Sequence, residues 1–453
     1  MYKEDKKRVA IIGAGIAGLA AGYELKKAGF EVFVFEKEKT VGGRMETKKK
    51  GGFTFDTGAD FFVNCYDLLY SYAKELNIPW EFSVEGGRHR IIRGGVAHYI
   101  DLSGPFDLLR WKLLSLRARV RFLWWVFTLK MIRGPLDFFH LSKNSSTLTT
   151  ISAGEYLRTR ISPEVADFIA DPFTGIMNFH RVDEISAAAL FSLMRMMTTD
   201  GGFRMCYTRG GMSAIPKALA KLLNVETGVT VTSVSSKGRS VEVVHGGVGE
   251  LFDAVVVATT GNVAQRIVKP LPATAERMFS ALRYSATMTV AFVIPANLFT
   301  DGTRLTYVPF VESKIVSGYD NQIKKSADME LRGHSLLLVY LYEHAIAELS
   351  KKDDEEFFAI VREEMRKVCP EVRHNPSVLQ AHDLKCWAQA MPKFSPDYVG
   401  TVVAFEEQGQ GENNIYLAGD YLNSVWTEGA ARCGKRVAEM ITSHPKSLDI
   451  RAS

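Results

Sequence analysis

The chain has 453 residues, 46% of them hydrophobic and 24% charged, with a formal net charge of +5. That length and balance suit a globular protein of more than one domain, and exclude a disordered chain and a dedicated nucleic-acid binder. Cys65, Cys206, Cys369, Cys386 and Cys433 show neither a disulfide framework nor metal-ligand spacing, so no metal is expected and a reducing cytoplasm is.

Val9 to Ile12 is a short apolar run of the kind a buried parallel strand needs. Lys6 to Arg8 ahead of it imitate a secretory signal, but Gly13, Gly15 and Gly18 inside the run argue for a folded strand and turn. In this G-x-G-x-x-G pattern Gly13 permits the tight turn, Gly15 lets a pyrophosphate approach the backbone, and Gly18 lets the next helix pack closely on the strand. That helix is predicted from Ile16 to Ala28, with Ile16 and Ala17 offering free N–H groups and a positive dipole end to phosphates. Gly29 ends it. A second buried strand, Glu31 to Phe35, delivers Glu36 with Lys37 beside it, where a carboxylate can accept hydrogen bonds from both ribose hydroxyls of an adenosine. Gly42, Gly43 and Arg44 then place another close backbone approach and a guanidinium near the same pyrophosphate.

A glycine pair and arginine directly after a ribose-binding acid resemble the FAD-binding flavoprotein amine oxidase superfamily. Further segments carry the resemblance along the chain. FDTGADFF, from Phe55 to Phe62, resembles the stretch under the flavin, where Gly58 and Ala59 would meet the ring. RGGMSAIPKALAKLL, from Arg209, resembles the entry to the second FAD stretch, and VTVTSVSSKGRSVEVV follows as a strand pair with Val234 as the implied adenine neighbour. NNIYLAGDYLNSVWTEGAARCGKRVAEMI resembles the closing FAD motif, with Gly419 and Asp420 after a strand and Glu428, Gly429 and Ala430 opening a helix toward the flavin. The implied fold is α/β, a discontinuous Rossmann-like FAD-binding domain from residues 1–62, 204–272 and 394–453 with an inserted α+β substrate domain from 63–203 and 273–393. The active site would lie between them. The implied cofactor is FAD held non-covalently, since no cysteine matches the family's flavin-attachment motif.

The resemblance implies hydride transfer to flavin N5, which needs few acid–base residues, and no catalytic residue is singled out. His89 and His180 read as structural histidines. In amine oxidases a lysine sits on a substrate-domain strand near N5, yet the comparable strand, YSATMTVAFVI from Tyr284, has none. DPFTGIMNFHRVDEISAAALF and WAQAMPKFSPDYVG instead resemble protoporphyrinogen oxidases, grouped with carotenoid desaturases. The expectation is an oxidase or desaturase acting on an apolar or cyclic substrate, with oxygen or a quinone as acceptor. Amine oxidation and a non-catalytic FAD-retaining subunit are the alternatives. Phe61, Trp387 and Trp426 are candidate pocket residues, with core packing equally compatible.

From Leu108 to Leu136 the chain carries seven basic residues and no acid. Leu113, Leu116, Val120, Leu123, Phe127 and Met131 recur at helical spacing as an apolar face, which leaves Trp111, Phe122 and Trp125 outward with Arg119 and Arg133. Such a face suits an anionic membrane, giving a cytoplasmic protein peripheral on the inner membrane surface. A helix packed inside the substrate domain fits the pattern equally.

Overall fold

Apolar β-branched runs build the buried centre of one parallel sheet, with an exposed strand at its edge. Its order is Asn224–Thr227, Glu31–Glu36, Arg8–Ile12, Ala254–Val257, Ile415–Leu417, every neighbouring pair parallel. A computed structural model describes residues 6–83, 87–100, 105–131, 136–144, 146–197, 203–326 and 329–443. The helix Ile16–Lys27 follows the first strand, and its last turn closes on Gly29, whose φ of +94° suits a residue without a side chain. Against it packs the helix Thr427–Ser443, so closely that a Cβ on Gly434 would lie 2.0 Å from the Ala17 carbonyl oxygen. The antiparallel strands Val231–Lys237, Ser240–His245 and Val248–Phe252 form a separate small sheet. This is a Rossmann-like α/β arrangement whose parallel sheet draws on three distant parts of the chain.

A second, seven-stranded sheet has the order Gln380–Pro392, Tyr284–Pro295, His334–Leu341, Val316–Asn321, Thr303–Tyr307, Arg88–Arg93, Val96–Tyr99. Alternation along its central strands separates two cores. Val290, Phe292, Leu337 and Val339 face the helix Asp354–Val368, which buries Phe357, Val361 and Met365 against them. Ala291, Leu336, Leu338 and Tyr340 face the other way, into the main core shared with the parallel sheet. Covered on both faces, the strand can be apolar throughout, as LLLVYL is.

The remaining helices lie mainly between residues 105 and 197. Here the basic, aromatic segment departs from its predicted orientation. Helices Pro105–Arg110 and Leu116–Met131 replace one continuous helix, and Trp111, Phe122 and Trp125 are buried, not outward. Leu116, Val120, Trp124, Phe127 and Met131 are the exposed set, while Leu113 is buried. The physical reason is that both sides of this helix are apolar and aromatic, so periodicity does not fix which side the core takes, and the side of Ala118, Phe122, Trp125 and Leu129 is the one buried. Arg119 is turned back onto the carbonyl oxygens of Leu109 and Leu114, while Arg133 lies outside the described residues. Among the described residues no helix is long and apolar enough to cross a membrane.

Candidate active site

Between the two sheets lies a cavity of about 630 Å³. Its first end opens at the carboxyl edge of the parallel sheet, the usual crevice for a ligand in such folds. Gly13 turns there at φ +104°, and a Cβ on it would come within 2.9 Å of the Ala258 carbonyl oxygen. Gly18 is off the cavity wall and permits helix–strand contact, since its Cβ would fall 2.1 Å from the Gly13 oxygen. Gly15, by contrast, has nothing within 4 Å of where a Cβ would sit. That leaves the backbone there open to a close approach by a ligand. The two glycine motifs are joined directly, because Gly42 N–H donates to the Ala14 carbonyl at 2.8 Å and Gly15 bridges Gly42.

Glu36 accepts from the backbone N–H groups of Ala14 at 2.7 Å and Glu38 at 2.9 Å, which aim its carboxylate at the cavity. Each oxygen keeps acceptor capacity for a ribose hydroxyl. Lys37 lines the rim and pairs with Glu38 at 3.2 Å. Arg44 donates to Asp420 Oδ2 and to the Ala390 carbonyl, both at 2.7 Å, so the two charged candidates form one ion pair on the wall. Ile16, Ala17, Gly43, Gly58, Ala59, Gly419 and Ala430 also line it. At Gly58 a Cβ would meet the Arg44 carbonyl oxygen at 2.1 Å, so this glycine lets two chain segments cross beside the cavity.

Besides Gly18, three candidates lie elsewhere. Val234 is buried behind the cavity, paired with Val243 and bridged to Val268, while Val231 at the start of the same strand faces the cavity. A register shift between Val231 and Ser233 separates the two positions. Glu428 and Gly429 are also off the wall, although Thr427 and Ala430 of the same helical turn are on it. The Glu428 carboxylate turns the other way, accepting from Leu68 and Leu69 N–H at 2.9 and 3.0 Å and from Arg432 Nε. It satisfies the free donors and positive end of the helix Asp67–Glu75. Gly429 makes room for Ser424, 2.5 Å from its would-be Cβ.

At the second end, Phe61, Trp387 and Trp426 all reach the cavity, and packing fixes each in place. Trp387 Nε1 donates to the Thr57 carbonyl at 2.7 Å, Trp426 Nε1 to Asn178 Oδ1 at 2.9 Å, and Phe61 sits edge-on to Trp426. Ile176, Met177, Phe179 and Leu305 complete an apolar wall. Polar groups that sequence reasoning missed stand beside it. Lys325, fully buried, donates to Asp56 and Asp60 at 2.7 Å each, and Asp60 lines the cavity with Asp320. Burial pushes the Asp320 carboxyl well above the usual carboxylate range, with nearby Asp60 adding to the rise and Arg304, 3.6 Å away, opposing it. Thr287 is the cavity-facing residue of the strand without lysine. A lysine reaches the wall from the adjacent strand instead: Lys385, paired in register with Thr289, lies 4.6 Å over Trp387 and 3.1 Å from Glu46. His89 and His180 are off the cavity wall. Burial, then the charge of Lys393, lowers the His180 pKa to about 4.

Comparison with known proteins agrees with this geometry. Over 175 residues the chain is 30% identical to protoporphyrinogen oxidase 2 of Arabidopsis thaliana, covering 37% of this chain and 32% of that one. It is 28% identical over 284 residues to AofH of Mycobacterium tuberculosis, named as a flavin-containing monoamine oxidase, covering 58% and 60%. The chain thus spans between a third and three fifths of the length of these relatives. A cofactor-binding redesign of putrescine oxidase shares the fold with a TM-score of 0.79 at 18% identity, over 97% of this chain and 99% of that one. The model of the family described as flavin containing amine oxidoreductase matches residues 16–442, and the chain belongs to that family, with FAD as its cofactor.

Proposed function

We propose that this enzyme dehydrogenates a largely apolar or cyclic substrate, as protoporphyrinogen oxidases do. When bound, FAD supplies a hydride acceptor at N5, which oxygen or a quinone reoxidises. Gly13, Gly15, Ile16, Ala17, Gly42 and Gly43 would hold its pyrophosphate, Glu36 the adenosine ribose, Val231 the adenine, and Gly58, Ala59, Asp420 and Ala430 the flavin half. The observation that carries the substrate reading is the wall of Phe61, Ile176, Met177, Phe179, Leu305 and Trp426, which shares the cavity with Thr287. These side chains exclude water and orient an apolar ring or chain without supplying a proton acceptor.

Amine oxidation is the second reading, favoured by the carboxyl groups of Asp60 and Asp320 at the same end, whose oxygens would accept hydrogen bonds from an amine. Anaerobic mixing of the FAD-loaded enzyme with a porphyrinogen, a polyene and simple alkylamines separates the two. Flavin bleaching by the porphyrinogen or the polyene is expected. Rapid bleaching by amines alone, with aldehyde released on readmitting oxygen, overturns the preferred reading; bleaching by none would fit a subunit that only retains FAD.

A further inference from the structure

The helix Leu116–Met131 has two apolar faces and the protein covers only one. Ala118, Phe122, Trp125 and Leu129 are buried in the core, and Trp125 is 1% exposed. Leu116, Val120, Trp124, Phe127 and Met131 stand in solvent, and Trp124 is 64% exposed, alone among the six tryptophans in that respect. At about 100° per residue these five fall within an arc of about 80°, a continuous ridge rather than scattered surface residues. Trp124 and Phe127 touch, with ring centroids 5.8 Å apart. Phe106, on the preceding short helix, is exposed as well.

The surroundings of the ridge are cationic. Arg110, Lys112, Arg117 and Arg121 are exposed, and no acid occurs from residue 108 to 136. Glu164, an acid that contacts this segment, is occupied by Arg93 at 3.0 Å and by the Ser115 N–H. On the helix wheel Arg117 borders the ridge directly and Arg121 lies just beyond it on the same side.

We propose that this ridge seats on an anionic lipid surface, with Trp124 and Phe127 in the acyl boundary and the flanking cations at the headgroups. A bilayer matches both features at once: the apolar arc buries in hydrocarbon while arginine and lysine reach the phosphates above it. A partner protein would need its own acidic rim around an apolar groove.

The test uses the FAD-loaded protein and phosphatidylcholine vesicles with or without phosphatidylglycerol. Sedimentation with the anionic vesicles at low salt is expected, together with quenching of Trp124 fluorescence by brominated acyl chains. Trp124→Phe should keep sedimentation and lose that quenching. Paired replacement of Trp124 and Phe127 by Ser should weaken binding at least about tenfold, and Lys112→Glu with Arg117→Glu should abolish the preference for anionic lipid, all with flavin absorbance unchanged. The proposal fails if the wild-type protein stays in the supernatant at low salt, or if it sediments without quenching. It fails equally if the serine pair binds as wild type does, or breaks up a dimer in a protein that ignores vesicles.

Discussion

Around Gly13, Gly15 and Gly43 the cavity wall is rich in glycine, which presents backbone, whereas around Asp60, Asp320 and Tyr340 most of its residues carry large side chains. Much of the first end comes from turns close together in sequence, between Gly13 and Glu46, with Val231 and Ala258 added from the neighbouring strands. The second is assembled by sheet pairing, with Thr287, Leu305, Asp320, Tyr340 and Trp387 arriving from five different strands. A backbone wall recognises what every such cofactor shares, a phosphate chain, and tolerates no extra carbon at Gly13. A side-chain wall can be altered residue by residue while the cofactor end stands. Substrate choice can therefore change in this architecture without loss of FAD.

The largest expected effect breaks the first end alone. Replacing Glu36 by Ala removes the acceptor for a ribose and also leaves the N–H groups of Ala14 and Glu38 without their partner. Charge-assisted hydrogen bonds of this kind are worth about 2 to 3 kcal/mol, so FAD affinity should fall roughly 30- to 150-fold. Titration of the stripped protein with FAD, followed by flavin fluorescence, reads this. Unchanged affinity would remove Glu36 from the ribose site.

The different construction of the two ends also explains what could be read in advance. Strand, glycines, helix, strand and acid sit contiguously, so local rules place Arg8–Ile12, Ile16–Lys27 and Glu31–Glu36 within a residue or two. Asp60 and Lys325 are 265 positions apart in sequence and meet only through the fold, so no spacing announces their pairing. Lys385 was hidden because its strand pairs with the one that lacks a lysine. The segment around Trp124 misled for another reason: with apolar residues on two sides, periodicity fixes a helix but not which side turns inward. That Val231 lines the cavity while Val234 is buried behind it follows a local shift in strand register that alternation does not reveal.

A smaller effect separates the ends by pH. His180 lies just beyond Asn178, the residue that holds Trp426, and is fully buried with its pKa lowered to about 4. Between about pH 6.5 and 4 the unfolded chain binds a proton at this position that the folded chain does not. Stability from this group is therefore complete above pH 6.5 and is lost as pH falls toward 4, by about 2 kcal/mol at pH 4.5. Denaturant unfolding at pH 7 and 4.5 should show His180→Leu narrowing the gap between the two conditions by that amount, whatever its absolute stability. An identical gap in both proteins would mean the site is open to solvent.

The smallest effect sharpens the border between the two ends at Glu428. Its sequence context points to the cofactor, yet its carboxylate is spent on the N–H groups of Leu68 and Leu69 and on Arg432. Glu428→Gln keeps the shape, removes the charge opposite the helix end of Asp67–Glu75, and gives one oxygen where two accepted. A cost of about 1 kcal/mol in unfolding free energy is expected, the size of a lost cap with its dipole interaction. FAD affinity should not change, because the cavity face of this turn is made by Thr427 and Ala430. The comparison with Glu36→Ala is then a clean crossing: one acid whose loss releases cofactor, another whose loss loosens a helix and leaves the cofactor bound. If Glu428→Gln weakened FAD binding at constant stability, the carboxylate would have to turn into the cavity when the cofactor enters, and Leu68 and Leu69 would need another acceptor.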